Sequence, residues 1–190
     1  IPFIFLPLGY NHRVFFSDTT NSKPIDLLFS GILQNSNIGV QSNLRRRIME
    51  KLFFCVGDIP IKKKKPVKSM KIFWNGQPRS SLQRYIARQM GIGKVIPIYD
   101  YVDIQGQSKI TLNALSPSGL VSSRYMESMA MRSLVFAEES DRYQDIFPEN
   151  LLVTYKVDLS DFLEKLKYYL LNDDKRAEIT ENAYKHVINN

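Results

Sequence analysis

Short apolar runs alternate with stretches of helical periodicity along most of the chain, and this alternation constrains the fold more than any other feature. Ile25–Ser30 (Ile-Asp-Leu-Leu-Phe-Ser), Met70–Trp74, Lys94–Tyr99, Lys109–Leu115, Leu134–Ala137 and Leu151–Tyr155 read as strands, with Phe3–Leu6 as an extended segment ahead of them. Leu44–Phe54, Ser80–Met90 and Ser122–Met131 read as helices; Leu82, Ile86 and Met90, four residues apart, share one face. Strands that alternate with helices predict an α/β fold, a Rossmann-like and mostly parallel sheet of about six strands with flanking helices. A two-helix C-terminal tail closes it. Leu159, Phe162, Leu163, Leu166 and Leu170 form one stripe behind Asp158 as a cap, and Ile179, Ala183 and Val187 form another behind Asp173 or Asp174. With 190 residues the expectation is a single domain, 1–190, and no second one.

Several function classes drop out. No apolar run approaches the roughly 20 residues of a membrane span. His12 and His186 stand apart and Cys55 has no partner at ligand spacing, so no metal site is expected. Cys55, within Phe53-Phe54-Cys55-Val56, reads as core rather than as a nucleophile. A lone cysteine favours a reducing compartment, hence a cytoplasmic setting. Neither the dinucleotide nor the P-loop glycine pattern is present, which argues against an NAD enzyme and against an ATPase. The apolar N-terminus carries Pro2 and Pro7, with no initiator Met and no basic region ahead of it, and reads as the edge of a piece of a longer protein.

Charge is unevenly spread. Residues 1–95 hold 16 basic and 4 acidic side chains, against 10 and 15 in residues 96–190. Lys62–Lys65 and Arg45-Arg46-Arg47 are the densest basic runs. They read either as solvated surface or as contacts to phosphate, nucleic acid or anionic head groups at a membrane surface. The interleaved aromatic residues that stack single-stranded bases are missing, so nucleic acid is not the favoured partner.

Ser108 to Glu139 is the informative stretch: a strand ending at Asn113, a loop with Ser and Gly, a helix, and another strand. Ser122 or Ser123 is a suitable N-cap, which places Arg124 and Glu127 near the helix start. In open parallel sheets ligands bind outside the carboxyl ends of strands. There a helix start with an adjacent Arg suits a diphosphate, and a carboxylate one turn on can accept from the vicinal hydroxyls of a ribose. The plainer alternative is that Glu127 complements the helix dipole and Arg124 makes a surface ion pair.

Arg124-Tyr-Met-Glu-Ser-Met-Ala130, followed by Leu134-Val-Phe-Ala137, resembles the donor-nucleotide segment of GT-B glycosyltransferases. The similarity is to the "glycosyl transferases group 1" C-terminal domains of spore-coat-maturation-type proteins. Phe5-Leu-Pro-Leu-Gly-Tyr-Asn11, Asp26-Leu-Leu-Phe-Ser-Gly31, Lys109-Ile-Thr-Leu-Asn113 and Asp161-Phe-Leu-Glu-Lys-Leu166 resemble the entry segment, first strand and glycine turn, pre-donor strand and closing helices of that domain. Retaining members of the wider group carry two Glu residues separated by seven others. Glu127 matches the second, and Gly119 stands where the first would fall. The usual glycine after the helix is replaced by Met131-Arg132-Ser133, so Arg132 is either a tolerated turn residue or a mark of lost donor binding.

The resemblance implies the nucleotide-sugar-binding half of a hexosyltransferase, with the N-terminal acceptor domain absent and the fragment alone inactive. Glu127 would hold the ribose, and Arg124, Ser122 and Ser123 would meet the diphosphate. Asn113 and Gly119 would lie in the donor loop, Tyr99 and Tyr101 near the base, and Gly31 where its loop approaches the diphosphate. The implied partners are a nucleotide-diphosphate sugar, the missing domain and a glycan or protein acceptor, with peripheral membrane contact through Lys62–Lys65. No cofactor or metal is implied, since cationic side chains stabilise the leaving diphosphate. The alternatives are a non-catalytic Rossmann-like binding module and a basic polyanion-binding module.

Overall fold

Leu27, Phe29, Ile110, Leu112, Leu134 and Phe136 belong to one buried cluster, and Leu28, Val135 and Ala137 to another. Side chains alternate across a strand, so both faces of these strands are covered, which explains why the runs are continuously apolar. The computed structural model describes residues 10–17, 22–30, 40–55, 72–75, 81, 98–116 and 119–189. Within them the elements run β1 (Ile25–Ser30), α1 (Val40–Cys55), β2 (Ile72–Asn75), α2 (Ile98–Gly106), β3 (Ser108–Leu112), α3 (Arg124–Ala130), β4 (Leu134–Glu138), β5 (Val153–Tyr155), α4 (Phe162–Leu171) and α5 (Asp173–Asn189).

The five strands pair in the order β2-β1-β3-β4-β5, and every pairing is parallel. Leu27 faces Ile72 on one side and Ile110 on the other, and Ile110 in turn faces Leu134. The chain leaves β1 toward β2 and returns to β1's other side as β3. That reversal is a topological switch point, and the crevice beyond the carboxyl ends of β1 and β3 is where such sheets take ligands.

One face of the sheet carries α1, through Leu44, Ile48 and Leu52, and α4, through Phe162 and Leu166. There the Phe136 ring lies 4.9 Å from Tyr155 and 5.4 Å from Phe162 between centroids, and Tyr155 meets Phe162 edge-on. Each such pair contributes about 0.5–1.5 kcal/mol beyond the area it buries. The other face carries Tyr101 of α2, Tyr125 and Met129 of α3, and Ala183 and Val187 of α5. Phe15, from the segment ahead of β1, packs edge-on against Tyr101.

At the amino edge of the sheet, Lys23 Nζ donates to the carbonyl oxygens of Gly106, Ser108 and Met131. Ser133 Oγ lies within bonding distance of the Gln105 and Ser108 carbonyls at the same edge. Arg132, in the turn between α3 and β4, has φ +50°. It donates to Glu181 of α5 and to the Ser17 carbonyl. Arg132 is thus a turn residue at the amino edge of the sheet, remote from the carboxyl edge.

Some expectations are corrected. The strand expected over Lys94–Tyr99 is not one at its described end: Ile98–Gly106 is helical, so Tyr99 and Tyr101 stand in the first turn of α2. Pro97 lacks the N–H a central strand needs and suits a helix start. Tyr101 is buried against Phe15, so it packs the core instead of meeting a base. The strand expected to reach Leu115 stops at Leu112. Asp158 does not cap α4. Asp161 flanks it instead, and Leu159, at φ +65°, precedes the helix although its side chain is buried in the α4-side core. Phe3–Leu6, Gly31, Lys62–Lys65 and, apart from Ser81, the Ser80–Met90 helix lie outside the described residues, as does the Cys55 side chain.

Candidate functional site

Tyr125, Ser128 and Met129 are buried, which seats one side of α3 on the sheet and turns Arg124 and Glu127 to the other. Three residues apart, those two share a face. The Tyr125 hydroxyl lies 2.9 Å from that of Tyr143 and its ring stacks on Phe147, so the helix is fixed in rotation. Arg124 is exposed and Glu127 half-buried.

Ser123 occupies the N-cap position but in helical conformation, and its side chain caps nothing. Its hydroxyl donates instead to Glu127 Oε1 at 2.9 Å, while its carbonyl accepts from the Glu127 N–H. One carboxylate oxygen is thereby oriented, and the other makes no hydrogen bond among the described residues. Ser122 contributes its carbonyl to the Tyr125 N–H. α3 is only seven residues long, so attraction for an anion here rests on guanidinium charge rather than on the helix dipole.

The loop between β3 and α3 lies at the switch point. Asn113 is buried, with its side-chain amide 3.3 Å from Ser128 Oγ and its N–H bonded to the Phe136 carbonyl, so it ties β3 to α3 and β4. Ser116 and Leu120 close a tight turn: Gly119 N–H donates to the Ser116 carbonyl, and Leu120 N–H to Ser116 Oγ. Gly119 holds φ +73°, with open space where a Cβ would stand. A carboxylate-bearing residue there would fit sterically but bear backbone strain.

Two charged residues that sequence reasoning left without a role at this loop complete the edge. Glu138, the last residue of β4, is wholly buried, and Oε1 accepts from Leu115 N–H at 2.8 Å. Burial pushes its carboxyl up from the ordinary range, against the Leu115 hydrogen bond and the Arg45 charge. Arg45 of α1 directs Nη2 at the Leu115 carbonyl, 3.2 Å, and the Ala114 carbonyl, 3.4 Å. Burial and then the Arg124 charge lower its pKa, with Glu138 opposing both, so two guanidinium groups and one carboxylate act on each other at this edge. The only signal for Glu138 was its place at the carboxyl end of an apolar run. For Arg45 there was only a basic triplet, of which Arg47 also turns to carbonyls, those of Val157 and Asp158.

A cleft of about 790 Å³ lies along the β4–β5 connection, lined by acidic Glu139, Asp141 and Glu149 over Tyr143 and Phe147. Among the described residues no group of His, Cys, Asp and Glu is placed to hold a metal, and no helix is long and apolar enough to cross a membrane.

The family described as glycosyl transferase-like matches residues 46–190, well over half of the chain and all of the loop, α3 and β4. The chain belongs to this glycosyl transferase-like family. No curated protein sequence matches it. Among solved structures, this glycosyltransferase-family domain is similar to the C-terminal domain of the glycosyl transferase group 1 family protein LpcC from Francisella tularensis. The TM-score is 0.61 at 14% identity, over 95% of this chain and 97% of that one. Sucrose-phosphate synthase from Thermosynechococcus elongatus follows, with TM-score 0.65, 14% identity, and 96% and 47% of the two chains. So does WaaG, a glycosyltransferase involved in lipopolysaccharide biosynthesis, with TM-score 0.59, 16% identity, and 97% and 51%. At such identities the likeness establishes the fold, that of GT-B glycosyltransferases. The chain spans about half the length of the latter two.

Proposed function

We propose that this domain is the nucleotide-sugar-binding C-terminal half of a GT-B glycosyltransferase of hexosyltransferase type, whose acceptor site and catalytic base come from an N-terminal domain. The observation that carries the reading is the pairing of Arg124 and Glu127 on the outward face of α3, one loop beyond the switch point. In it, Glu127, already oriented by Ser123, accepts from the two ribose hydroxyls. Arg124 with Ser122 and Ser123 meets the diphosphate, the Gly119 turn and Gly31 let backbone approach it, and Tyr99 lies near the base. A diphosphate brought beside Arg124 meets an exposed guanidinium, so its binding is favoured by charge as well as by hydrogen bonds.

Titration of the 190-residue chain with UDP, GDP and ADP and their sugars, followed by calorimetry, tests this. Saturable binding of one nucleotide family that Glu127→Ala weakens supports it, and no binding of any of them overturns it. A non-catalytic binding module is favoured by one observation, Gly119 at φ +73° in the place of a carboxylate. It predicts binding without transfer even when the N-terminal half is present. The polyanion reading loses Arg45 and Arg47, which are directed at backbone carbonyls.

A further inference from the structure

Leu115 is held at both of its backbone groups by charged side chains from distant parts of the chain. Its N–H donates to Glu138 Oε1, 23 residues on, and its carbonyl accepts from Arg45, 70 residues back. The two side chains come from different elements, β4 and α1, and converge on one residue of the loop at the switch point. A carboxylate is expensive to bury, and an apolar residue of similar size ending β4 would avoid that expense. Glu138 is nevertheless fully buried, and its Oε2 has no hydrogen-bond partner among the described residues. Tyr155, which shares its surroundings, likewise has its hydroxyl without a partner there. What the buried carboxylate secures is the conformation of the loop.

We propose that Glu138 and Arg45 are positioning residues that lock the Asn113–Ser116 loop, before any ligand arrives, in the shape that receives the nucleotide diphosphate. This rests on the donor-binding reading above. A loop ordered in advance spares the ligand the entropy of ordering it, so the lock acts on affinity. Neither residue needs to touch the nucleotide. A hydrogen-bond acceptor at position 138 is the required feature, and the negative charge is secondary.

Three variants test it: Glu138→Gln, which keeps an acceptor; Glu138→Ala, which removes it; and Arg45→Met, which removes the carbonyl contacts while keeping bulk. Two quantities are measured well below each thermal midpoint: amide exchange at Leu115 without ligand, and calorimetric affinity for UDP, GDP and ADP. Glu138→Ala is expected to lose protection of the Leu115 amide and to weaken binding about tenfold or more. Glu138→Gln should restore most of both, and Arg45→Met should weaken binding with the amide still protected by Glu138. A role confined to stability would lower the midpoint and leave the affinity of the folded chain unchanged; that result overturns the proposal. If Glu138→Ala does not fold, parent-level affinity in Arg45→Met overturns it equally. If the parent binds no nucleotide, the donor reading falls on its own. The lock is then judged on Leu115 exchange alone, and it fails if Glu138→Ala and Glu138→Gln exchange at the parent rate.

Discussion

The guanidinium carbon of Arg132 sits 3.4 Å from the centre of the Tyr184 ring, joining the turn after α3 to helix α5. The same side chain bonds Glu181 and the Ser17 carbonyl from a backbone at φ +50°. Left-handed backbone costs a non-glycine residue about 1–2 kcal/mol, and the three contacts offset it. Arg132→Ala keeps the strain and loses the contacts, whereas Arg132→Gly loses both. Both should be less stable than the parent, with alanine below glycine by about 1 kcal/mol, read from chemical denaturation midpoints. Nucleotide affinity should not change in either, because the turn lies at the edge of the sheet remote from the loop.

Glu127→Ala should weaken nucleotide binding about tenfold or more, since each charge-assisted hydrogen bond to a ribose hydroxyl is worth roughly 1.5–3 kcal/mol at most. Its thermal midpoint should move little: a dipole-complementing glutamate contributes only about 0.3–1 kcal/mol. Calorimetry and thermal melts on Ala and Gln variants beside the parent check this. Equal affinities for every nucleotide the parent binds would remove Glu127 from the site.

Asp26 of β1 and Lys109 of β3 form an ion pair at 2.6 Å across the two central strands, with the carboxylate side chain only 9% exposed. Asp26→Ala should destabilise the domain by about 1–3 kcal/mol, as a hydrogen bond to a charged group is lost and Lys109 is left unpaired. At about 2–4 °C per kcal/mol for a domain of this size, the loss is visible in a melting curve. A change below one degree would contradict it.

Asp161 should make the fold sensitive to acid. Burial alone would raise its carboxyl, but its bonds to Lys165 and to the Lys156 N–H outweigh that and hold it below the ordinary value. A carboxyl lowered in the folded state contributes stability above its unfolded value, about 4, and that stability is lost as pH falls through the folded one. Melting temperatures between pH 6 and pH 2 should therefore drop more steeply below pH 4 in the parent than in Asp161→Asn. Parallel curves would contradict the assignment.

The 190 residues alone should transfer no sugar. Orienting donor against acceptor supplies much of the rate, and the proposal places half of that cleft in another domain. Radiolabelled nucleotide sugars offered with simple acceptors check this, and steady turnover by the fragment would contradict the division.

The parallel α/β architecture was legible because the buried strands are apolar on both faces and α5 has its own stripe, Ala183 and Val187, behind Asp173. Tyr99 and Tyr101 were misplaced for a local reason: in a short run such as Val95-Ile-Pro-Ile-Tyr-Asp-Tyr-Val102, β-branched residues outweigh a helix signal that only the burial of Tyr101 decides. Leu159 was counted into a helix because its apolar side chain does join the core, though from a turn. Of the candidate site, the placement of Arg124 and Glu127 on one face of one helix was readable from their spacing. Glu138 and Arg45 were not, because what makes them matter is a third residue, Leu115, that only strand order brings between them.

The three carbonyls gathered by Lys23 close the ends of α2 and of the turn after α3 onto the first residue of β3. Gly106 and Met131 end two different crossovers, Ser108 opens the strand between them, and none lies at the edge where the loop and α3 begin. A single ammonium group thus acts as a keystone for the frame beneath the crevice. The loops at the opposite edge can therefore vary while the frame persists. A change at Lys23 would loosen both crossovers, through α2 and α3, that its three bonds tie to β3.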